Sequence, residues 1–249
     1  MLNLSGKTAL VTGAATRVGR VIAQALAERG CNLILHCHQS RDKARELAAQ
    51  LCNAGGHAVV LRADLAKTGQ MLKLARDADT HFGGVDILVN SAAIFRPTPL
   101  TRLTPAELDA FYAVNLKAPY VLSSELGRNM RRRGARNPLR QGVIVNIACL
   151  SGLKAWKQFV PYSISKAGLI SLTKGLAKLL APYVRVNAIA PGTVLPPEHM
   201  RARSIQHLRA LIPLQTIGSP EDVADAVLYL ASAPFVTGQV LCVDGGRSI

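Results

Sequence analysis

The chain alternates short apolar runs with longer stretches whose apolar residues recur at the spacing of an amphipathic helix. Short apolar runs between turn residues predict buried strands, and the stretches between them predict helices. Alternation of this kind favours a mainly parallel sheet with helices on both faces. We therefore predict a single α/β domain over residues 1–249, a doubly wound, Rossmann-type fold with a mainly parallel seven-stranded sheet flanked by helices. The predicted strands are residues 7–12, 32–37, 58–62, 85–89, 143–148, 184–189 and 239–243.

The first predicted strand leads into a turn that contains glycine. Gly13 follows the strand directly, Gly19 comes later in the same turn, and an amphipathic stretch then continues to Arg29. A glycine turn between a strand and a helix lets the backbone approach a pyrophosphate, and the N-terminus of the helix favours its negative charge. The turn therefore predicts a dinucleotide site beyond the carboxyl ends of the strands.

A tyrosine and a lysine four residues apart lie in a later helical stretch, residues 161–181. Residues four apart share one face of a helix, so Tyr162 and Lys166 are expected to converge. A nearby positive charge favours the phenolate form of tyrosine, which predicts a lowered pKa for Tyr162. A phenol with a lowered pKa suits general acid or base catalysis near neutral pH.

Together these features resemble the short-chain dehydrogenase/reductase family, and the resemblance covers essentially the whole chain. Within that family, residues 13–19, 35–40 and 95–100 resemble the pteridine reductases and the dihydromonapterin-reductase group. The resemblance implies an oxidoreductase that uses a nicotinamide dinucleotide. The family motifs are residues 12–19 (T-G-x-x-x-x-x-G), Asp64, residues 90–93 (N-S-A-A), Asn115, the Tyr162 and Lys166 pair, residues 191–193 (P-G-T) and residues 243–246 (V-D-G-G).

The residues after the second strand bear on the choice between NAD(H) and NADP(H). A carboxylate there would accept hydrogen bonds from a ribose 2′-hydroxyl and repel a 2′-phosphate. Residues 36–41 contain histidines, a serine and an arginine but no acid, which favours NADPH. Pteridine reductases carry an arginine where Gln39 stands, so we expect either that part of the discrimination falls to Arg41 or that it is weaker in this chain.

The resemblance also implies individual roles at the cofactor. Arg17 would pair with the pyrophosphate, Lys166 would bind the nicotinamide ribose and Thr193 the carboxamide. Asp64 would contact the adenine, with the capping of a helix as an equal alternative. The full implied cofactor set is Gly13, Arg17, Val18, Gly19, His36, His38, Gln39, Ser40, Asp64, Leu65, Asn90, Ser91, Ala92, Tyr162, Lys166, Pro191, Gly192, Thr193 and Val194.

The implied catalytic residues are Tyr162, Lys166, Asn115 and Cys149, with Asn115 holding a water that links the lysine to solvent. Phe95, Cys149 and Tyr162 are the implied substrate residues, and Phe95 would stack a pterin ring unless it is simply core. Cys149 stands where most of the family has serine and the pteridine reductases have aspartate. A thiol is a weak donor, so Cys149 is either a poor polarising group or a small packing residue.

The chain has a formal charge of +15, from thirty basic and fifteen acidic residues, and this excess of positive charge requires an interpretation. Arginines cluster over residues 128–140 without interleaved aromatic residues, so we interpret the cluster as a solvated loop and expect no nucleic-acid partner. The overall charge would instead attract a phosphorylated cofactor or an anionic substrate. In the family, the segment near residues 195–215 is a mobile loop over the substrate, and Pro196, Pro197 and the basic run 199–209 would form its entry.

The five cysteines are dispersed and lack C-x-x-C spacing, so we expect neither disulfides nor a metal site. The first residues do not resemble a signal peptide, and no apolar run approaches the length of a membrane span. We therefore expect a soluble, cytoplasmic protein with no membrane partner. Family resemblance implies a homo-oligomer, specifically a tetramer.

The function predicted from these features is NADPH-dependent reduction of a pterin or related planar heterocycle, such as a dihydropterin, a dihydromonapterin or a dihydrofolate-like compound. One alternative is a ketone reductase that acts on 3-oxoacyl thioesters or polyketides. The other belongs to a different class: a catalytically weakened protein that binds NADP(H) as a sensor or scaffold.

Overall fold

The computed structural model describes residues 1–137, 140–195 and 202–249. It contains one sheet of seven strands in the order β3-β2-β1-β4-β5-β6-β7, and every neighbouring pair is parallel. The predicted fold class is therefore confirmed. The strands are β1 (Thr8–Val11), β2 (Asn32–Cys37), β3 (Ala58–Arg62), β4 (Ile87–Asn90), β5 (Gly142–Ile147), β6 (Val184–Pro191) and β7 (Val240–Val243).

Helices connect the strands, with a π-helical turn at Ala113–Lys117 and short 3₁₀ turns at Leu100–Arg102 and Leu150–Gly152. No helix in the described part of the chain combines the length and apolarity needed to cross a bilayer. The helices are α1 (Arg17–Glu28), α2 (Arg41–Asn53), α3 (Thr68–Thr80), α4 (Pro105–Tyr112), α5 (Ala118–Arg136), α6 (Val160–Leu180), α7 (Ala202–Ala210) and α8 (Pro220–Ser232).

The sheet is buried on both faces. Successive side chains of a strand point to opposite faces, so Ala9 and Val11 pack with α1, α2 and α8 while Leu10 packs with α3, α5 and α6. Parallel strands covered on both faces read as continuous apolar runs, which explains why these strands were recognisable in the sequence. The chain runs outward from β1 to β3 and returns to β4, so strand order reverses between β1 and β4. Ligands bind at such switch points.

Predicted boundaries agree closely with the structure. The predicted helix at residues 161–181 is α6, Val160–Leu180. The predicted strand 184–189 continues to Pro191 in β6, and the predicted strand 85–89 is shifted to Ile87–Asn90. Of the expected substrate loop near 195–215, Pro196, Pro197 and residues 198–201 lie outside the described residues, and the end of the basic run lies on α7.

The arginine cluster over residues 128–140 is not the solvated loop predicted from the sequence. Most of it lies on α5, and Arg133 donates two hydrogen bonds to Asp79 at 2.9 and 3.1 Å. Arg140 binds the buried Asp86 at 3.0 Å and also donates to the carbonyl of Gly83 at 2.7 Å. These two arginines therefore fix the loop before β4, at the amino end of the sheet and away from the ligand edge.

Candidate active site

The glycine turn after β1 has no room for a side chain at its two glycine positions. A Cβ atom on Gly19 would lie 2.3 Å from the carbonyl oxygen of Gly13, and Gly13 has a φ of +68°. Thr16 precedes α1, and its side chain makes no capping hydrogen bond, so the first amides of the helix stay available to an anion. Glycines without side chains, next to the uncapped amides at the N-terminus of α1, fit the pyrophosphate of a dinucleotide.

Thr12 joins this turn to the end of β4. Its hydroxyl oxygen accepts hydrogen bonds from the amides of Ser91 and Ala92 at 2.9 and 3.0 Å, which brings both residues to the turn as predicted. The side chain of Asn90 instead points below the site, where it donates to Asn146 at 2.8 Å and to Ser123 at 3.1 Å. The prediction that Asn90 binds the cofactor therefore holds at most for its backbone.

His36 lies beneath the turn instead of facing a ligand. Its Nδ1 accepts a hydrogen bond from the Gly13 amide at 3.2 Å, which leaves Nε2 to donate to the carbonyl of Ala63 at 3.1 Å. Burial lowers the pKa of His36 to about 4, so the ring is neutral at pH 7. Both ring nitrogens are in use, and the predicted direct contact with the cofactor is corrected to an indirect one: His36 holds the turn in place.

Arg17 adopts a left-handed backbone, with a φ of +54°. This conformation suits glycine and costs other residues roughly 1 kcal/mol or more, in keeping with Arg17 standing where the commoner family turn has glycine. Its Nη2 lies 3.5 Å from the carbonyl of Leu195, just after β6. The guanidinium thus spans the cleft above the glycine turn, and its pairing with a pyrophosphate stays a prediction.

Basic side chains surround the end of β2, and only some of them were identified from the sequence. His38 and Gln39 are exposed, Ser40 is half-buried, and Arg62 on β3 donates from Nε to the carbonyl of His38 at 3.0 Å. Burial raises the pKa of the neighbouring Cys37 thiol, and the charges of Arg62, Arg41 and Arg45 oppose that rise. None of these arginines forms an ion pair with a carboxylate among the described residues.

Sequence reasoning missed Arg62, although a signal for it existed. The register of the parallel pair β2 and β3 places Arg62 directly beside Cys37. When one strand ends at a ligand site, a basic residue at the end of the strand paired with it is a candidate for binding that ligand. Arg62 therefore joins Arg41 as a candidate for binding a 2′-phosphate.

Asp64 follows β3 and stabilises the turn before α3. Its Oδ1 accepts a hydrogen bond from the amide of Ala66 at 2.9 Å, and its Oδ2 lies 4.0 Å from Nζ of Lys67. Asp64 does not cap α3, whose N-cap residue is Lys67 and whose first turn receives no side-chain cap, so the capping alternative is not seen. A contact of Asp64 with adenine stays a prediction. The side chain of Leu65 is buried in the core, so only its backbone is left to face a ligand.

β6 carries the other side of the cofactor cleft. It ends at Pro191, and a Cβ on Gly192 would lie 2.8 Å from the Cβ of Asp244, so the backbone here packs closely against the segment after β7. Thr193 and Val194 follow at the carboxyl edge of the sheet, as the predicted carboxamide site requires. Val18 faces the same core from α1 and is half-buried.

Tyr162 and Lys166 converge on one face of α6, as predicted. Nζ of Lys166 lies 5.6 Å from the centre of the Tyr162 ring and donates to the carbonyl of Ile147 at 2.6 Å. Both side chains are buried. Burial raises the pKa of Tyr162 well above its usual value, and the adjacent Cys149 raises it further, while burial lowers the pKa of Lys166 to about 8.

The predicted lowering of the Tyr162 pKa is therefore wrong for this structure. Desolvation disfavours the charged form of any buried group, and here it is the largest cause of the raised pKa of Tyr162. The phenol stays protonated at neutral pH. A protonated phenol is the form that can donate a proton in a reduction.

Asn115 lies in the π-helical turn and is fully buried. Its Oδ1 accepts from the amide of Ile94 at 2.8 Å, and its Nδ2 donates to the carbonyl of Ile94 at 3.0 Å and to Ser165 Oγ at 3.1 Å. The side chain thus anchors the loop after β4 to α6 and is committed to these partners. The predicted water-holding role of Asn115 stays a prediction, and among its groups only the backbone carbonyl is left for it, in a π turn that shifts the backbone hydrogen bonds by one residue.

Cys149 stands just after β5, against Tyr162. It packs in one small cluster with Phe111 and Tyr162, and its Sγ accepts from the amide of Ser151 at 3.4 Å. The position counted back from Tyr162 is therefore at the site, as predicted. Whether the thiol acts on the substrate or only packs stays a prediction.

Aromatic side chains form a wall beside Tyr162. The Phe95 ring stacks on Phe159 with centroids 4.8 Å apart and meets the edge of Tyr162 at 4.8 Å. Trp156 meets the edge of Phe159 at 5.8 Å. Phe95 is 50% exposed, so it is not a core residue. Sequence reasoning missed Phe159 and Trp156, although aromatic residues just before the Tyr162 helix were a visible signal.

Comparison with known proteins identifies the fold and the site together. A short-chain dehydrogenase family model, described as enoyl-(acyl carrier protein) reductase, matches residues 13–248. The chain belongs to the short-chain dehydrogenase/reductase family. It is accordingly a short-chain oxidoreductase. The glycine turn after β1 is the candidate for its dinucleotide site.

Curated relatives within this family include ketoreductases. The chain is 34% identical to the granaticin polyketide synthase putative ketoacyl reductase 2 of Streptomyces violaceoruber over 248 residues, which cover 97% of this chain and 96% of that protein. It is 33% identical to a 3-oxoacyl-[acyl-carrier-protein] reductase of Synechocystis over 252 residues, covering 99% and 98%.

Solved structures point to a different group within the family. FolM alternative dihydrofolate reductase 1 from Brucella canis, complexed with NADP, superimposes with a TM-score of 0.89 at 33% identity, covering 99% of this chain and 95% of that chain. A blue fluorescent protein from a metagenomic library, in complex with NADPH, gives a TM-score of 0.89 at 29% identity, covering 99% and 100%. Similarity of the whole chain therefore leaves the substrate open.

Proposed function

We propose that the protein is an NADPH-dependent reductase of a pterin or a related planar heterocycle. The observation that carries this proposal is the half-exposed Phe95 ring, which is held by Phe159 directly beside Tyr162. An exposed aromatic face next to the proton donor suits a flat ring, because stacking adds about 0.5–1.5 kcal/mol beyond the area it buries. The similarity to the Brucella dihydrofolate reductase supports the same substrate class.

The choice of NADPH is supported by charge at the end of β2. Residues 36–41 carry no carboxylate that would repel a 2′-phosphate. Arg62 and Arg41 are exposed, and neither is neutralised by an ion pair among the described residues. Two similar solved structures hold NADP or NADPH.

When bound, the reduced nicotinamide supplies a hydride to a carbon of the substrate double bond. Tyr162 then donates its phenolic proton to the ring nitrogen at the other end of that bond. The raised pKa keeps the phenol protonated until this step, and negative charge building on nitrogen makes the transfer favourable. Lys166 carries a positive charge close to the phenolate that results, and solvent restores the proton.

A ketone reductase is the second candidate, favoured by the curated relatives, which include a ketoacyl reductase and a 3-oxoacyl-[acyl-carrier-protein] reductase. The same donor would protonate a carbonyl oxygen. NADPH oxidation should be measured with a panel of dihydropterins and a panel of 3-oxoacyl thioesters. A higher kcat/KM for the dihydropterins than for the thioesters supports the proposal. A higher kcat/KM for the thioesters overturns it. Binding of NADPH without turnover on either panel would identify the sensor alternative.

The role of Phe95 is tested by Phe95→Ala, with Phe82→Ala as the control. Phe82 is a partly exposed phenylalanine in the loop before β4, at the opposite edge of the sheet. Phe95→Ala should weaken dihydropterin binding roughly tenfold and leave the Kd of NADPH unaltered. An equal loss of pterin affinity in both variants, or lower stability with unchanged pterin affinity, would contradict the stacking role.

The assembly rests on family resemblance alone, and the location rests on the dispersed cysteines and the first residues of the sequence. We propose a homotetramer and a cytoplasmic location. Light scattering after size exclusion measures the mass of the assembly, and cell fractionation tests the location.

A further inference from the structure

Arg247 lies between Thr193, which follows β6, and Trp156 of the aromatic wall. Its Nη1 donates a hydrogen bond to Oγ1 of Thr193 at 2.8 Å. Its guanidinium lies 5.7 Å from the centre of the Trp156 ring. The two contacts hold the guanidinium between these two sides of the candidate site, and its other N–H groups donate no hydrogen bond to the residues that the structure describes.

The charge of Arg247 has no carboxylate partner in residues 1–137, 140–195 and 202–249. Arg96 in the loop after β4, by contrast, makes a two-pronged pair with Glu107. Arg247 is also half-buried. A guanidinium that is partly removed from water and faces no acid gains more from an incoming anion than a fully solvated one.

The aromatic wall relates Arg247 to the reacting position. Neighbouring rings run from Tyr162 to Phe95, then to Phe159 and Trp156, each pair within 6 Å. Arg247 covers the far end of this row. A flat ring placed beside Tyr162 and Phe95 would therefore extend its substituent along the wall towards Arg247.

We propose that Arg247 binds an anionic group, a carboxylate or a phosphate, on the substituent of the reduced ring, and so selects charged pterins over neutral ones. This inference rests on the proposed function. The excess of positive charge in the chain favours the same class of substrate. The cofactor phosphates have other candidate partners at the glycine turn and at Arg62, which leaves Arg247 for the substrate.

The test uses Arg247→Gln and Arg247→Lys in the full-length protein, with Arg29→Gln as the control because Arg29 is an exposed arginine after α1. Dihydrofolate supplies a carboxylate substrate, dihydroneopterin phosphate a phosphate substrate, and 6-hydroxymethyl-dihydropterin a neutral one. Arg247→Gln should raise the KM of the charged substrate ten- to a hundredfold, the range of a hydrogen bond to a charged group. The KM of the neutral substrate should change less than threefold, and Arg247→Lys should recover part of the loss.

Binding measurements separate the substrate from the cofactor. Calorimetric titration with folate should show the same loss of affinity in Arg247→Gln, and the loss should shrink as salt is added. The Kd of NADPH should stay within threefold of the parent value. A larger effect on NADPH than on folate would place Arg247 at the cofactor and overturn the inference.

The remaining outcomes distinguish this inference from the proposed function. If the parent enzyme reduces pterins but Arg247→Gln raises the KM of charged and neutral substrates equally, only the present inference fails. If the parent enzyme reduces no pterin of any charge, the proposed function fails and this inference fails with it. Whichever charged substrate loses more in Arg247→Gln identifies the anion that Arg247 recognises.

Discussion

The ammonium of Lys166 lies 5.6 Å from the centre of the Tyr162 ring, yet burial and not this charge determines the pKa of the phenol. Lys166 donates instead to the carbonyl of Ile147. In the proposed reaction, the pair would keep Tyr162 protonated before reduction and would stabilise the phenolate only after the proton has left.

Replacement of the proton donor tests this arrangement directly. Tyr162→Phe should lower kcat by roughly a hundred- to ten-thousandfold, the contribution of a positioned acid. The ring is retained, so the packing with Phe95 and Phe111 and the Kd of NADPH should be preserved. Steady-state rates and a fluorescence titration with NADPH provide the two readings. Full turnover in this variant would remove Tyr162 from the mechanism.

Lys166 predicts a pH dependence on the basic side. Burial lowers its pKa in the folded protein to about 8, below the ordinary 10.5. Between those two values the unfolded chain binds more protons than the folded one, so the contribution of Lys166 to stability rises as pH increases from about 8 towards 10.5. Loss of the ammonium should at the same time lower kcat/KM as pH rises through about 8.

Denaturant unfolding across that pH range checks the prediction. Because the raised pKa of Cys31 lowers stability over part of this range, the prediction is a difference between proteins. The stability of the parent should rise more steeply with pH than that of Lys166→Met, and as steeply as that of Lys178→Met, a control at an exposed lysine of the same helix. The same slope in all three proteins would show that Lys166 is not the group responsible.

His36 predicts the opposite limb of the pH profile. Its pKa is lowered from 6.5 to about 4 in the folded protein, so the unfolded chain binds more protons between those values. Stability should therefore fall as pH decreases from about 6.5 to about 4, because the unfolded chain takes up a proton on His36 that burial keeps off the folded ring. His36→Gln should flatten this part of the curve and raise the Kd of NADPH. If the stability of His36→Gln falls as steeply with decreasing pH as that of the parent, His36 is not the group responsible for the fall.

These residues show which parts of the protein could be predicted from sequence. The sheet, the glycine turn and the Tyr162 helix follow local periodicity and spacing, and the sequence displays them directly. The direction of the Tyr162 pKa depends on how deeply α6 is buried, which spacing alone does not contain. The roles of His36 and Arg62 depend on which strands are neighbours: Arg62 reaches the end of β2 only because β3 pairs with it in register.

Arg62 is expected to contribute to cofactor choice. Arg62→Gln should raise the Kd of NADPH about ten- to a hundredfold, the range of a charge-assisted hydrogen bond, and leave the Kd of NADH almost unchanged. Arg76→Gln is the matched control, because Arg76 is an exposed arginine on α3. Fluorescence titrations measure the Kd of NADPH and the Kd of NADH in the parent and in both variants. Equal weakening of NADPH and NADH by Arg62→Gln would instead mean that Arg62 supports the backbone at His38.

Cys149 is the residue at which this chain departs from its family, and its contact with Tyr162 makes the departure testable. The thiol packs in the cluster of Phe111 and Tyr162 and contributes to the raised pKa of the phenol. A hydroxyl donates a stronger hydrogen bond than a thiol, so Cys149→Ser should raise ketone reduction, where one well-placed donor stabilises the transition state by about 3 kcal/mol. Cys149→Asp should shift preference towards pterins, because a carboxyl group can protonate a ring nitrogen.

Steady-state kinetics of both variants on a 3-oxoacyl thioester and on a dihydropterin separate the two roles of Cys149. Cys149→Ala serves as the control, because it removes the sulfur without adding a donor and measures the packing contribution alone. Its stability should fall by about 1 kcal/mol or more, as expected when a buried side chain is shortened. If the serine and aspartate variants change kcat/KM no more than the alanine variant does on either substrate, Cys149 acts only by packing. Proton donation then depends on Tyr162 alone, with its pKa set by burial and not by a neighbouring donor.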